Sequence, residues 1–168
     1  MLRVIFCTVM SPETRNNELA QWGPTFARLA LGIPIVVAGV GKIFAVGPKG
    51  VGIGGFTGML TNIGVPFPTL FAWLVGIIEL VGGTLLIVGA LVRVSAALVS
   101  IIMLTATVLV HIPNGYPTTN GGFELTLALF FVAISIVVAG PGRLSVEHDL
   151  LDREIISLPE RADVTEAD

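Results

Sequence analysis

Four apolar runs, each close to the length of a membrane crossing, decide what this chain can become. They extend from about Phe26 to Phe44, Phe67 to Leu91, Val94 to Ile112 and Phe123 to Gly140. A hydrocarbon core about 30 Å thick takes roughly 20 residues of α-helix. Inside it every backbone N–H and C=O must be paired within the segment. The expectation is an all-α integral membrane protein, a bundle of four transmembrane helices. Composition leads the same way: 54% of the residues are hydrophobic and 12% charged, with a mean hydropathy of +0.91. An ordinary soluble domain carries about 25% charged residues, so this chain lacks the polar surface to cover a water-soluble globule.

The connections divide the chain into three regions: an N-terminal segment 1–21, the four-helix membrane domain 22–144, and an acidic tail 145–168. The apolar stretch Met1–Met10 is short, carries Arg3 and lacks a convincing cleavage site, so it does not read as a signal peptide. Met10-Ser11-Pro12 is an alternative translation start to Met1. Between the first two runs, Phe56, Met59, Leu60 and Ile63 recur at helical spacing, which predicts a short helix lying in the membrane interface. Pro66 and Pro68 mark entry into the second span. Basic residues set the orientation. Arg3, Arg15, Arg28, Arg93, Arg143, Arg153 and Arg161 fall on one side, and Lys42 and Lys49 on the other. The positive-inside bias places the first side, with both termini, in the cytoplasm of a multi-pass cell-membrane protein.

Stripes at helical spacing predict which faces look inward. On the first span these are Arg28, Gly32, Ile35, Gly39 and Lys42; on the second Gly76, Glu79 and Gly83. The third presents Ser100, Thr107 and His111, and the fourth Glu124, Ala128, Phe131 and Ser135. Small residues on such stripes allow close helix approach. Glu79 is the one carboxylate near the middle of a span. Charge at that depth costs about 2.5–3.5 kcal/mol on insertion scales, so it should be neutralised or paired. With Phe44 taken as level with Pro68, helix rise puts Arg28 about 7 Å and Lys42 about 13 Å from the level of Glu79, on opposite sides. That estimate makes Arg28 and Glu79 a buried polar site. Lys42, His111 and Glu124 would lie together near the outer surface, able to bind an anion or to pass protons to a redox ligand such as a quinone head group.

Other chemistries find no support. The single cysteine, Cys7, excludes an intramolecular disulfide and a dithiol shuttle. Of two histidines, His148 belongs to the tail, so paired haem ligation within the bundle is excluded, and no spacing suits zinc or an iron–sulfur cluster. The glycines of Gly47–Gly55 are followed by no G-K-[ST], and no basic patch interleaved with aromatics suggests nucleic acid.

An ordered set of fragments resembles the DoxX family. It comprises Phe26-Ala27-Arg28-Leu29-Ala30-Leu31-Gly32, Ala38-Gly39-Val40-Gly41-Lys42-Ile43-Phe44, Ile63-Gly64-Val65-Pro66 and Gly76-Ile77-Ile78-Glu79-Leu80-Val81-Gly82-Gly83. His111-Ile112-Pro113-Asn114-Gly115, Gly121-Gly122-Phe123-Glu124 and Gly140-Pro141-Gly142-Arg143 complete it. The resemblance implies a prokaryotic four-helix inner-membrane protein, with Arg28, Lys42, Glu79 and Glu124 as family-like positions. Relatives of this kind include a membrane subunit of thiosulfate:quinone oxidoreductase and proteins that tether redox-protective enzymes. Two functional classes follow: a quinone-linked redox subunit acting with a partner that supplies electrons, or a non-catalytic scaffold that tethers soluble enzymes. Leu150, Leu151, Ile155 and Ile156 of the tail offer the scaffold an amphipathic docking segment. Besides the bilayer, the candidate partners are a redox or other soluble enzyme and a second copy of the chain. Transport has less support, because the bundle shows neither repeated halves nor a broken-helix pair.

Overall fold

The computed structural model describes residues 22–142 and 144–146, and all the regular elements there are helical. Three helices are long and apolar enough to cross a membrane: α1 (Gly23–Phe44), α3 (Pro68–Val88) and α4 (Val92–Asn114), of 22, 21 and 23 residues. A short α2 (Gly52–Asn62) links α1 to α3, and the apolar α5 (Glu124–Ala139) follows α4. Residues 1–21, Arg143 and residues 147–168, which include the tail segment expected to dock partners, lie outside the described residues.

Local chemistry sets the boundaries. Proline occupies the first turn of α1 and of α3, where its missing N–H costs nothing. The α3–α4 turn is three residues long: Gly89 takes φ +83°, and the N–H groups of Gly89 and Ala90 both donate to the Leu85 carbonyl. Leu91 is then forced to φ +48°, a left-handed conformation that an L-residue adopts only under constraint.

Close helix approach rests on the glycines of the predicted stripes. Gly32 faces Ile87 and the Gly83 carbonyl, Gly83 faces Val36, and Gly76 faces Ile43. Gly39 is tighter: a Cβ there would sit 2.5 Å from the Leu80 nitrogen and 3.0 Å from the Glu79 carbonyl carbon. These contacts fix the register of α1 on α3. Phe44 lies level with about residue 75, not with Pro68. The first two turns of α3 project past the end of α1, where α2 packs on them through Phe56, Leu60 and Ala72.

The opposite end of the bundle holds the main core. Leu31, Ile35, Leu86, Val92, Ala96, Val99, Ala133 and Ile136 are all within 2% of complete burial. Large hydrophobics such as Phe26, Leu70, Ile101, Phe131 and Val138 are more than half exposed, the pattern of a surface facing lipid. Met59 on α2 and Ile63 just past its end are exposed while Phe56 and Leu60 are buried, so the predicted apolar face splits between outside and bundle.

The face of α5 differs from expectation. Glu124, Ala128, Phe131 and Ser135 point away from the bundle, and Ala133 and Ile136 point in. The polar stripe is therefore an outer surface. Its one mid-helix hydroxyl, Ser135, donates to the Val132 carbonyl of its own helix, which removes any need for an inward partner.

Candidate functional site

Inside the bundle Lys42 and Glu79 form an ion pair. Lys42 Nζ donates to Glu79 Oε2 at 2.5 Å, with side-chain exposures of 15% and 4%. Expectation had paired Glu79 with Arg28, and the register corrects it. The shift of about two turns, on the order of 10 Å, brings Lys42 down to the carboxylate and carries Arg28 away from it.

Three features hold the pair. Gly39, one turn before Lys42, admits the α3 backbone at Glu79 and Leu80. Glu79 stands in a single π turn, Ile78–Gly82, inserted in an otherwise α-helical span. Such widened turns leave backbone groups off the regular ladder and recur at functional sites; here Thr84 Oγ1 donates to the Leu80 carbonyl at 2.7 Å. Above the pair, the buried ring of Phe56 on α2 lies with its centroid 4.9 Å from Lys42 Nζ. Cation and aromatic face attract by the ring quadrupole, more so when desolvated. Among the described residues no hydrogen bond reaches Glu79 Oε1. The arrangement thus brings together an ammonium donor, a carboxylate oxygen without a hydrogen bond and an aromatic ring.

Arg28 does different work at the other end. It is 1% exposed and does not snorkel. Nη1 donates to the Pro141 carbonyl at 2.6 Å and Nη2 to the Leu144 carbonyl. The chain leaving α5 is thereby drawn across the base of the bundle, with Ser145 buried against Gly89. Carbonyls past a helix C-terminus carry partial negative charge, which suits a guanidinium.

The expected cluster of Lys42, His111 and Glu124 is not assembled. Lys42 is committed to Glu79. His111 Nδ1 lies 2.6 Å from the Gly121 carbonyl, and Glu124 Oε2 accepts from the Thr118 amide and hydroxyl at 3.3 Å. No hydrogen bond or ion pair joins the three. His111 and Glu124 instead brace the α4–α5 loop, and beside it Thr107 of a second π turn (Thr107–His111) in α4 donates to Thr126 of α5 at 2.9 Å. In this loop three consecutive amides, Gly122, Phe123 and Glu124, donate to the carbonyls of Pro117, Gly115 and Tyr116. A Cβ on Gly122 would lie 2.3–2.6 Å from all three oxygens. Gly122→Ala is expected to open the loop, so that the amides of Phe123 and Glu124 lose hydrogen-exchange protection while α3 keeps its own. Unchanged protection at both would contradict this packing.

The model of the DoxX family matches residues 23–112. An uncharacterized membrane protein of Mycobacterium tuberculosis is 32% identical over 136 residues, covering 75% of this chain and 80% of the relative. No solved structure matches. The family match spans Arg28, Lys42, Glu79 and Phe56, and so contains the ion pair and its roof.

Proposed function

This chain belongs to the DoxX family, and from that premise we propose that it is a redox-associated membrane subunit. In this reading it holds a quinone head group at the Lys42–Glu79 pair, while a partner protein supplies the electrons. One observation carries the reading: a charged pair is kept inside the apolar bundle although each charge is costly there. Lys42 would donate to a quinone carbonyl oxygen. Glu79 would accept from the hydroxyl of the reduced form through its open oxygen, and Phe56 would offer its ring. A quinone supplies the two-electron, two-proton chemistry when bound; the chain's own part is to hold the head group and to give and take protons at the carboxylate.

The proposal includes a membrane arrangement. The α5 helix is the fourth crossing; its 16 residues rise about 24 Å, a shortfall that local bilayer thinning accommodates. The α2 helix lies in the outer interface, with Met59 and Ile63 toward lipid, and both termini are cytoplasmic. Trp22 and Trp73, each partly exposed near a helix end, serve as interfacial anchors.

The test is extraction in mild detergent followed by organic extraction and chromatography of the bound lipids. Quinone at a substantial fraction of the protein is expected, and Glu79→Gln with Lys42→Met should lose it while α1–α5 remain folded. Absence of quinone from the wild type, together with capture of soluble enzymes that depends on the tail, would replace this reading with the scaffold.

A further inference from the structure

The bundle is built differently on the two sides of the ion pair. Toward Arg28, the level of Glu79 is followed by Ile35, Leu86, Ala96 and Val99, all within 2% of complete burial, with Ala133 and Ile136 closing in from α5. The hydroxyl of Ser100 within this stretch is turned onto the Ala97 carbonyl of its own helix. About 15 Å of packed side chains, apolar except for the buried hydroxyls of Ser95 and Ser100, therefore separates the pair from the Arg28 end, measured along α3 from Glu79 to Gly89. That end is itself shut by Arg28 and the chain it holds at Pro141 and Leu144.

At the α2 end the buried apolar cluster is smaller, Phe56, Leu60 and Ala72, and of these Phe56 lies over Lys42. Lys42 stands only two residues before the end of α1 and keeps 15% of its side chain exposed. Its cover consists of the 45–51 loop, folded so that the Lys49 carbonyl rests on Gly41, and the Phe56 ring.

We infer that the Lys42–Glu79 site has a single entrance, at the α2 end, and that Phe56 is the positioning residue that governs it. The ring does this by holding the Lys42 ammonium beneath it. The inference deepens the reading of the pair as a ligand site and rests on that reading for its purpose, though its geometry stands alone. Ligand and protons then enter and leave on the side carrying α2, and the Arg28 end contributes neither.

Thiol accessibility tests this without any quinone. The full chain, with Cys7→Ser, is reconstituted in liposomes, and an impermeant methanethiosulfonate is added to one face at a time. Lys49→Cys and Leu144→Cys, both exposed positions, identify the two faces. Glu79→Cys should react from the Lys49 face and not from the Leu144 face, and Lys42→Cys should do the same should the first variant fold poorly. In the Glu79→Cys background, Phe56→Leu keeps apolar bulk but loses the cation–ring attraction, and is expected to speed labelling about tenfold. Phe56→Tyr, which keeps the ring face, should restore the slow rate. A Phe56 that served only to pack α2 would give equal rates for all three side chains. Labelling from the Leu144 face, labelling from neither face, or rates indifferent to residue 56 would each overturn the inference. The quinone reading stands or falls separately, on the lipid extract of the unlabelled protein.

Discussion

Glu79→Gln is expected to cost the fold about 3–5 kcal/mol, because it leaves the Lys42 ammonium without its counter-charge in a nearly dry site. The lower end of that range is the better guide, since the Lys42 side chain retains 15% exposure and can turn its head outward. Lys42→Met should be at least as damaging, for the carboxylate left behind is 4% exposed and has no comparable escape. Together the two changes replace the pair with neutral groups of similar size, and a large part of the loss should return. The double-mutant cycle, read from unfolding in mixed micelles, should give a coupling of about 2–3 kcal/mol. The same cycle between Glu79→Gln and Arg28→Met should be additive within about 0.5 kcal/mol, as for residues that share no partner. A large coupling of Glu79 to Arg28 and a small one to Lys42 would overturn the register described here.

That contrast marks where sequence reasoning reached and where it stopped. The existence of the helices was legible because apolar runs of this length have few other stable forms. Gly32, Gly39, Gly76 and Gly83 were legible as contacts because small residues at helical spacing have a definite packing use. The depth of Glu79 and the need to pair it were equally plain. Its partner was not, since pairing depends on the axial offset of α1 against α3, and no local signal encodes that offset. The loop between them can be spanned at either register; the choice is made by how Gly39 meets the α3 backbone. The π turn at Ile78–Gly82 was hidden for a related reason. One extra residue in a turn shifts the helical phase without changing composition, and Gly82-Gly83 reads equally well as a packing pair. The face of α5 is not legible in the sequence, because nearly all its residues are apolar and the few polar ones do not mark an inside. In lipid, Ser135 can satisfy its hydroxyl on its own helix and face outward at little cost.

The pair, the π turn and the roof are linked through one glycine, so Gly39 is where a small change should have the widest effect. All three of the nearest atoms to a Cβ at position 39 are backbone atoms, of Glu79 and Leu80, at 2.5–3.0 Å. A flexible side chain could swing aside; a helix backbone cannot. Gly39→Ala gains up to about 1 kcal/mol in helix propensity, but the overlap must move α3 bodily, at about 1–3 kcal/mol. The net effect should be destabilising. Gly39→Leu should be worse, driving the helices apart along the length that holds Lys42 against Glu79. The diagnostic result is a loss of coupling: in the Gly39→Leu background, the Lys42–Glu79 cycle should fall well below its wild-type value. Gly54→Ala and Gly58→Ala supply the control. Both positions lie on α2 with nothing within 4 Å, so the propensity gain meets no steric penalty and stability should hold or rise. If Gly39→Ala proved as benign as Gly58→Ala, the close approach of α1 to the π turn would be wrong, and with it the geometry that brings Lys42 to Glu79.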